Sequence, residues 1–349
     1  MITRFGFKSD LNGIPFMLFR EGNSPIYFVV RGRVSDRARD VYLSATRTLS
    51  HRWKVRIVKI LRGIVATTHI DKHFERLSLS ALKSMAEQTN IAYLPFMVEH
   101  DPRIPPKGRT VFAKVVKLSD GEYGLETITE EFEPGKYVKF KNDGREIPLH
   151  EHSLNQLDIR FDRNFRYDDD QRLIEDLSQL FESRPIEEGK KSVDPITILT
   201  IGGLFILGGI AKGVLSKIGG DSYEIVKDKL KNLMKRKPEE KEKLLRFEFT
   251  VQRGVHEIVA EAILTNPEGE DIDGFLDEGL KVLDERLPQL FLLSSEIKKA
   301  VFEYKRGDLT LKFAVRKDAV PLIPIQVKTR IDRAQKKLQK QAKKKARKK

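Results

Sequence analysis

Short apolar runs punctuated by turn residues dominate the first third of the chain. Pro15 to Phe19 and Ile26 to Val30 flank Gly22-Asn23-Ser24-Pro25, which predicts a β-hairpin, and a more helical piece with Arg37, Arg39 and Val41 follows. Val55 to Val65 is a β-branched stretch. Leu82, Met85 and Ala86 then recur at helical spacing within Leu79 to Gln88, with Ser78 or Ser80 placed as N-cap. Val111 to Leu118 and Tyr123 to Phe132 enclose Ser119-Asp120-Gly121, and Asp-Gly between apolar runs is a strong hairpin signal.

After a helix expected at Leu173 to Phe181 and a polar connection, the pattern changes. Pro195 to Ala211 contains no charge, Asp194-Pro195 suits a helix start and Gly219-Gly220 a stop. Seventeen residues span about 25 Å as a helix, against a hydrocarbon core of about 30 Å. Extension to Ile218 takes in Lys212 and Lys217, and Gly209 and Gly213 stand at a small-xxx-small spacing suited to helix association in lipid. Two placements fit, a transmembrane or otherwise membrane-associated helix or a glycine-rich helix buried between domains. Ser222 to Met234 is a basic amphipathic helix, with Ile225, Val226, Leu230, Leu233 and Met234 on one face.

Farther on, strands are expected at Phe247 to Val251, Glu257 to Thr265, Val301 to Tyr304 and Leu309 to Val315. A helix at Ile272 to Leu287 lies between them, and Lys305-Arg306-Gly307-Asp308 makes the turn of a second hairpin. Its single histidine, His256, suits a partly buried structural role. These patterns imply an α+β protein in five parts. They are a β-rich, barrel-like module over 1–170, a helix and linker over 171–194, the Gly-rich apolar helix with the basic helix over 195–237, an α+β domain over 244–327, and a polybasic disordered tail over 328–349.

Charge changes the picture mainly at that tail. The chain of 349 residues has a formal charge of +14, and Lys328 to Lys349 holds twelve Lys and Arg against Asp332 alone, a net of +11. A block of like charge is expected to stay solvated and to attract an anionic lipid surface or nucleic acid. Zero cysteines exclude disulfides, thiol nucleophiles and thiolate metal sites. MITRFGFKSD lacks an apolar signal region, so a cytoplasmic, non-secreted protein is expected, membrane-associated through its apolar segment and basic elements.

Candidate chemistry concentrates in Ala66 to Arg109. Asp71, Leu82, Met97, His100, Asp101, Pro102 and Gly108, followed by the Gly121 hairpin, give this stretch its character. Over residues 55 to 165 the chain resembles the prohead (capsid maturation) protease-like proteins of tailed phages and their bacterial relatives. That resemblance implies a small β-barrel with flanking helices and, in active members, a serine endopeptidase with His100 as general base, with Asp71 and Asp101 beside it. The strand that begins with the nucleophile in active relatives corresponds to Leu157 to Phe161, which places Asp158 where serine is expected and Arg160 where glycine is. Ser153 reaches the site only in a shifted register, and Phe74 stands where relatives tend to have glycine. A serine becomes nucleophilic only when a histidine accepts its proton, so two roles stay open: a catalytically degenerate module used for binding, or an active peptidase. His69, Asp71, His73 and Glu75 alternate as a strand face that could hold a metal, but no second aligned cluster, metal or cofactor is expected. A third class is a nucleic-acid-binding or scaffold protein acting through the basic tail. The expected partners are an anionic membrane surface, a second copy through Gly209 and Gly213, a protein or peptide, and nucleic acid.

Overall fold

The structure, a computed structural model, describes residues 2–5, 16–21, 27–30, 59–70, 76–97, 101–132, 143–149, 157–162, 168–183, 185–188, 196–235 and 242–346. The chain forms two compact units, residues 1–86 with 111–140 and residues 87–110 with 141–349. It is mixed α+β, as the pattern implies.

In the first unit β1 (Ile2–Phe5), β2 (Phe16–Glu21) and β3 (Tyr27–Val30) pair antiparallel, and β2 with β3 is the expected first hairpin. β4 (Lys59–Thr67) pairs antiparallel with β7 (Tyr123–Glu131), whose other neighbour is β6 (Gly108–Lys117). Gly121, at φ +92°, takes the left-handed turn between β6 and β7 that a side chain would strain. Helix α1 (Leu79–Ile91) starts where the Ser78 hydroxyl accepts the Ala81 N–H at 3.1 Å. It packs Leu82 and Ala86 onto Ala113 and Leu125. β5 (Leu94–Phe96) pairs with Gly108 to Thr110, so the strands expected to make a barrel-like module over 1–170 fall in a three-stranded sheet, a four-stranded sheet and, for Leu157–Asp162, a larger third sheet.

The second unit is built on an eight-stranded sheet in the order β15-β14-β13-β12-β11-β10-β8-β9. Its strands are β8 (Leu157–Asp162), β9 (Pro185–Glu188), β10 (Ile196–Ile206), β11 (Lys243–Arg253), β12 (His256–Thr265), β13 (Ile297–Lys305), β14 (Asp308–Arg316) and β15 (Pro321–Leu322). The strands expected over 244–327 therefore share one sheet with residues 157–206, and the expected separate parts over 171–194, 195–237 and 244–327 are one unit.

The expected Gly-rich apolar helix is a strand. β10 runs parallel to β11 and antiparallel to β8, so its backbone hydrogen bonds go sideways into neighbours. β10 carries no charge and successive residues on its two faces, Thr200 and Ile201 among them, are buried, which gives it the same letters as a lipid helix. The chain then turns through Gly208, at φ +82°, into α3 (Ile210–Ile218). Among the described residues no helix is long and apolar enough to cross a membrane, which overturns the expected transmembrane segment. Gly213 has a packing role inside the unit. A Cβ on Gly213 would lie 2.4 Å from the Phe205 ring, so this glycine lets α3 sit directly on β10.

α2 (Asp168–Leu180), α3, α4 (Gly220–Lys235), α5 (Gly269–Gly274) and α6 (Leu280–Leu290) cover one face of the sheet, a π-helical turn at Phe275–Gly279 joining the last two. The Asp284 carboxylate of α6 accepts the Ile210 and Ala211 N–H groups that open α3, at 3.2 and 2.9 Å. The basic amphipathic helix is α4, and its apolar side, Val226, Leu230, Leu233 and Met234, is buried in this core. Even cross-strand positions on that sheet face are apolar, among them Ile159, Ile201, Phe247, Ala262 and Phe302.

The opposite face carries charge. Thr200 lies in register between Arg160 and Arg246, Gly202 between Asp158 and Glu248, and Glu248 opposite Glu261. Glu248 receives Arg160 Nη2 at 2.8 Å and Arg246 Nη2 at 3.1 Å, while Glu261 receives Arg246 Nε and Lys299 Nζ, the latter at 2.6 Å. Glu261 has no exposed surface. Burial pushes its carboxyl up, and the charges of Arg246 and Lys299 outweigh that and hold it below the usual range.

The last element, α7 (Pro324–Ala346), corrects the expectation of a disordered tail. Pro324 suits a first helical turn, the residues that follow are rich in helix formers, and Val327, Ile331 and Ala334 pack against the core of the second unit. Like-charge repulsion alone would favour a coil, and this apolar anchorage decides for helix.

Candidate nucleic-acid interface

Helix α7 turns about 100° per residue. Val327, Ile331, Ala334 and Leu338 follow one another at steps of four, three and four, and so form a single stripe. Val327 is buried, Ile331 and Ala334 are half-buried against the core, and Leu338 is exposed. The basic residues repeat on the other side with the same period. Arg333 and Lys340, Lys336 and Lys343, and Lys337 and Lys344 are three pairs seven residues apart, confined to an arc of about 120°.

All six are exposed. Among the described residues none of the six has an ion pair, whereas Arg330, one turn nearer the start, is held by Glu296. The six charges occupy about 16 Å of helix axis. From Ala334 the helix continues for roughly 18 Å beyond its last packed residue. Such a ridge attracts a polyanion, and its charges reinforce one another because no carboxylate is interleaved among them. The charge block is visible in the sequence, and the structure shows it to be helical.

Of the residues the sequence singles out for catalysis, His100, Ser153 and Asp71 lie outside the described residues, as do His73 and Glu75 of the metal reading. Asp101 is described and buried. Its carboxylate accepts the Arg103 backbone N–H at 2.9 Å and Arg103 Nη2 at 2.7 Å, and Arg103 also reaches Glu242 at 2.6 Å. Burial pushes the Asp101 carboxyl up, and the Arg103 hydrogen bonds and charge more than offset this, leaving it below the usual range. Asp158, expected at the nucleophile position, stands on β8 with Arg160 Nε 3.4 Å away. His69 meets Asp120 at 2.7 Å and Thr67 Oγ1 at 3.2 Å, and the described residues contain no cluster that could hold a metal. His256 is exposed at the β11–β12 turn, in contrast to the partly buried role expected for it.

In the first unit a cleft of about 480 Å³ is lined by Thr68, Arg76, Ser78, Glu122 and Tyr123. Arg76 is tied there to Glu122 and to the Thr68 carbonyl, both at 2.8 Å, and the Thr68 hydroxyl bonds the same glutamate. The cleft's cation and anion thereby neutralise each other. The exposed charge on α7 has no such counterpart. Compared with family models, with curated proteins and with solved structures, the chain matches none.

Proposed function

We propose that this protein binds nucleic acid through the basic ridge of α7. The carrying observation is the heptad order of Arg333, Lys336, Lys337, Lys340, Lys343 and Lys344 on the side of α7 turned away from its anchored stripe. Lipid is the weaker candidate for the same charges. An amphipathic helix enters a membrane interface by its apolar face, and here that face is taken up by the body of the protein at Val327, Ile331 and Ala334. A phosphodiester backbone needs only the charged side. The test is fluorescence anisotropy of labelled oligonucleotides with the full chain and with a variant carrying Gln at Lys336, Lys337, Lys340, Lys343 and Lys344. Binding by the native chain and at least tenfold weaker binding by the variant is expected. Equal binding by the two would refute the proposal.

For the prohead-protease-like region we propose a non-catalytic, binding role. The support is that Asp101, and Asp158 at the position where a serine nucleophile is expected, stand against arginines, Arg103 and Arg160. His100→Ala is then expected to leave any processing of the chain or of a partner unchanged, and loss of a cleavage event in that variant would restore the peptidase.

A further inference from the structure

We infer that the nucleic acid is a B-form DNA duplex, with α7 lying along its major groove; this rests on the function proposed above and narrows it. The ridge has two flanks and a crest. Lys336 and Lys343 project on one flank, Lys337 and Lys344 on the other, separated by about 100° around the axis, with Arg333 and Lys340 between them. Side chains that diverge in this way reach two separate rows of anions better than a single row. A helix about 10–12 Å across fills a major groove about 12 Å wide, where a phosphate row stands on either side.

Single strands and RNA duplexes suit the ridge less well. Proteins that hold single strands without sequence preference rely on aromatic platforms for the bases, and Pro324 to Lys349 contains no Phe, Tyr or Trp. An A-form duplex has a deep and narrow major groove that excludes a helix. The free reach of α7 beyond Ala334 lets a duplex approach the ridge with the body of the second unit on the far side of the helix.

The experiment titrates the full chain into a duplex DNA of two helical turns, the RNA duplex of the same sequence, either single strand, and phosphatidylserine vesicles. Each titration is repeated with a minor-groove drug present for the duplex DNA. Duplex DNA is expected to bind at least roughly tenfold tighter than the other nucleic acids, and the drug to leave that affinity unchanged. Lys336→Gln/Lys343→Gln and Lys337→Gln/Lys344→Gln are each expected to reduce the salt dependence for the duplex by about two charges, a slope change of about 1.8. Single-stranded or RNA binding that equals duplex DNA binding overturns this inference and leaves the proposed function standing. Displacement by the drug overturns the groove assignment. Binding to vesicles alone, or to nothing, overturns both.

Discussion

Glu261 is the residue on which the charged sheet face depends most. It is fully buried, and it is one of two carboxylates, with Glu248, that hold Arg246 and Lys299. Glu261→Ala leaves those two cations and Arg160 with only Glu248 and Asp158, so a cluster balanced at three cations and three carboxylates acquires an excess positive charge. Breaking a buried pair from one side costs about 3–5 kcal/mol. Glu261→Gln, which keeps an acceptor, should cost less. The double variant Glu261→Leu/Lys299→Met, which removes both charges, should be less destabilised than the sum of its single changes by about 1–3 kcal/mol. Urea unfolding followed by circular dichroism measures each value. A folded-state pKa below the unfolded one means that Glu261 contributes stability above the usual glutamate pKa and loses it as pH falls through the acid range. The native chain should therefore lose stability below about pH 4 more steeply than Glu261→Gln. A cost under about 1 kcal/mol for Glu261→Ala, or identical acid profiles, would refute this account of the lattice.

Three other outcomes follow from the packing. Gly213→Leu should destabilise the second unit by about 1–3 kcal/mol in thermal or urea unfolding, because the new side chain meets the Phe205 ring; a change in oligomeric state with no loss of stability would instead favour self-association through this glycine. Asp284→Ala should cost about 1 kcal/mol by removing the acceptor of the first α3 N–H groups, and amide exchange at Ile210 and Ala211 should quicken. Truncation after Gln335 should leave stability within about 0.5 kcal/mol, since the anchored residues stay, while oligonucleotide binding disappears.

The C-terminal strands were legible from their apolar, β-branched runs, and the turn at Lys305 to Asp308 from its Gly-Asp. β11 and β12 meet at Gly254, and β13 and β14 at Gly307, both with positive φ. β10 was not legible. Its Ile, Leu and Gly residues fit a lipid helix as well as a buried strand, and only its neighbours β8 and β11, 30 or more residues away in sequence on each side, decide between them. The charged face was present in the letters as alternate positions, Asp158 and Arg160, then Arg246 and Glu248, but which strands stand side by side is a property of topology. For α7 the sequence held both the basic heptads and the apolar stripe. Reading the charge block alone as a solvated coil overlooked Val327, Ile331 and Ala334, whose contacts with the core stabilise the helix that orders the charges. The expected catalytic set rested on the family resemblance, and of it Asp101 alone is described, committed to Arg103.

The salt dependence of duplex DNA binding tests the central claim most directly. Six ridge charges engaging six phosphates give a slope of log K against log salt of about −5 for the full chain. The variant with Gln at Lys336, Lys337, Lys340, Lys343 and Lys344 keeps Arg333 alone of the six, and its slope should fall to about −1. A native slope near zero, or the same steep slope in the variant, would contradict binding by the α7 ridge.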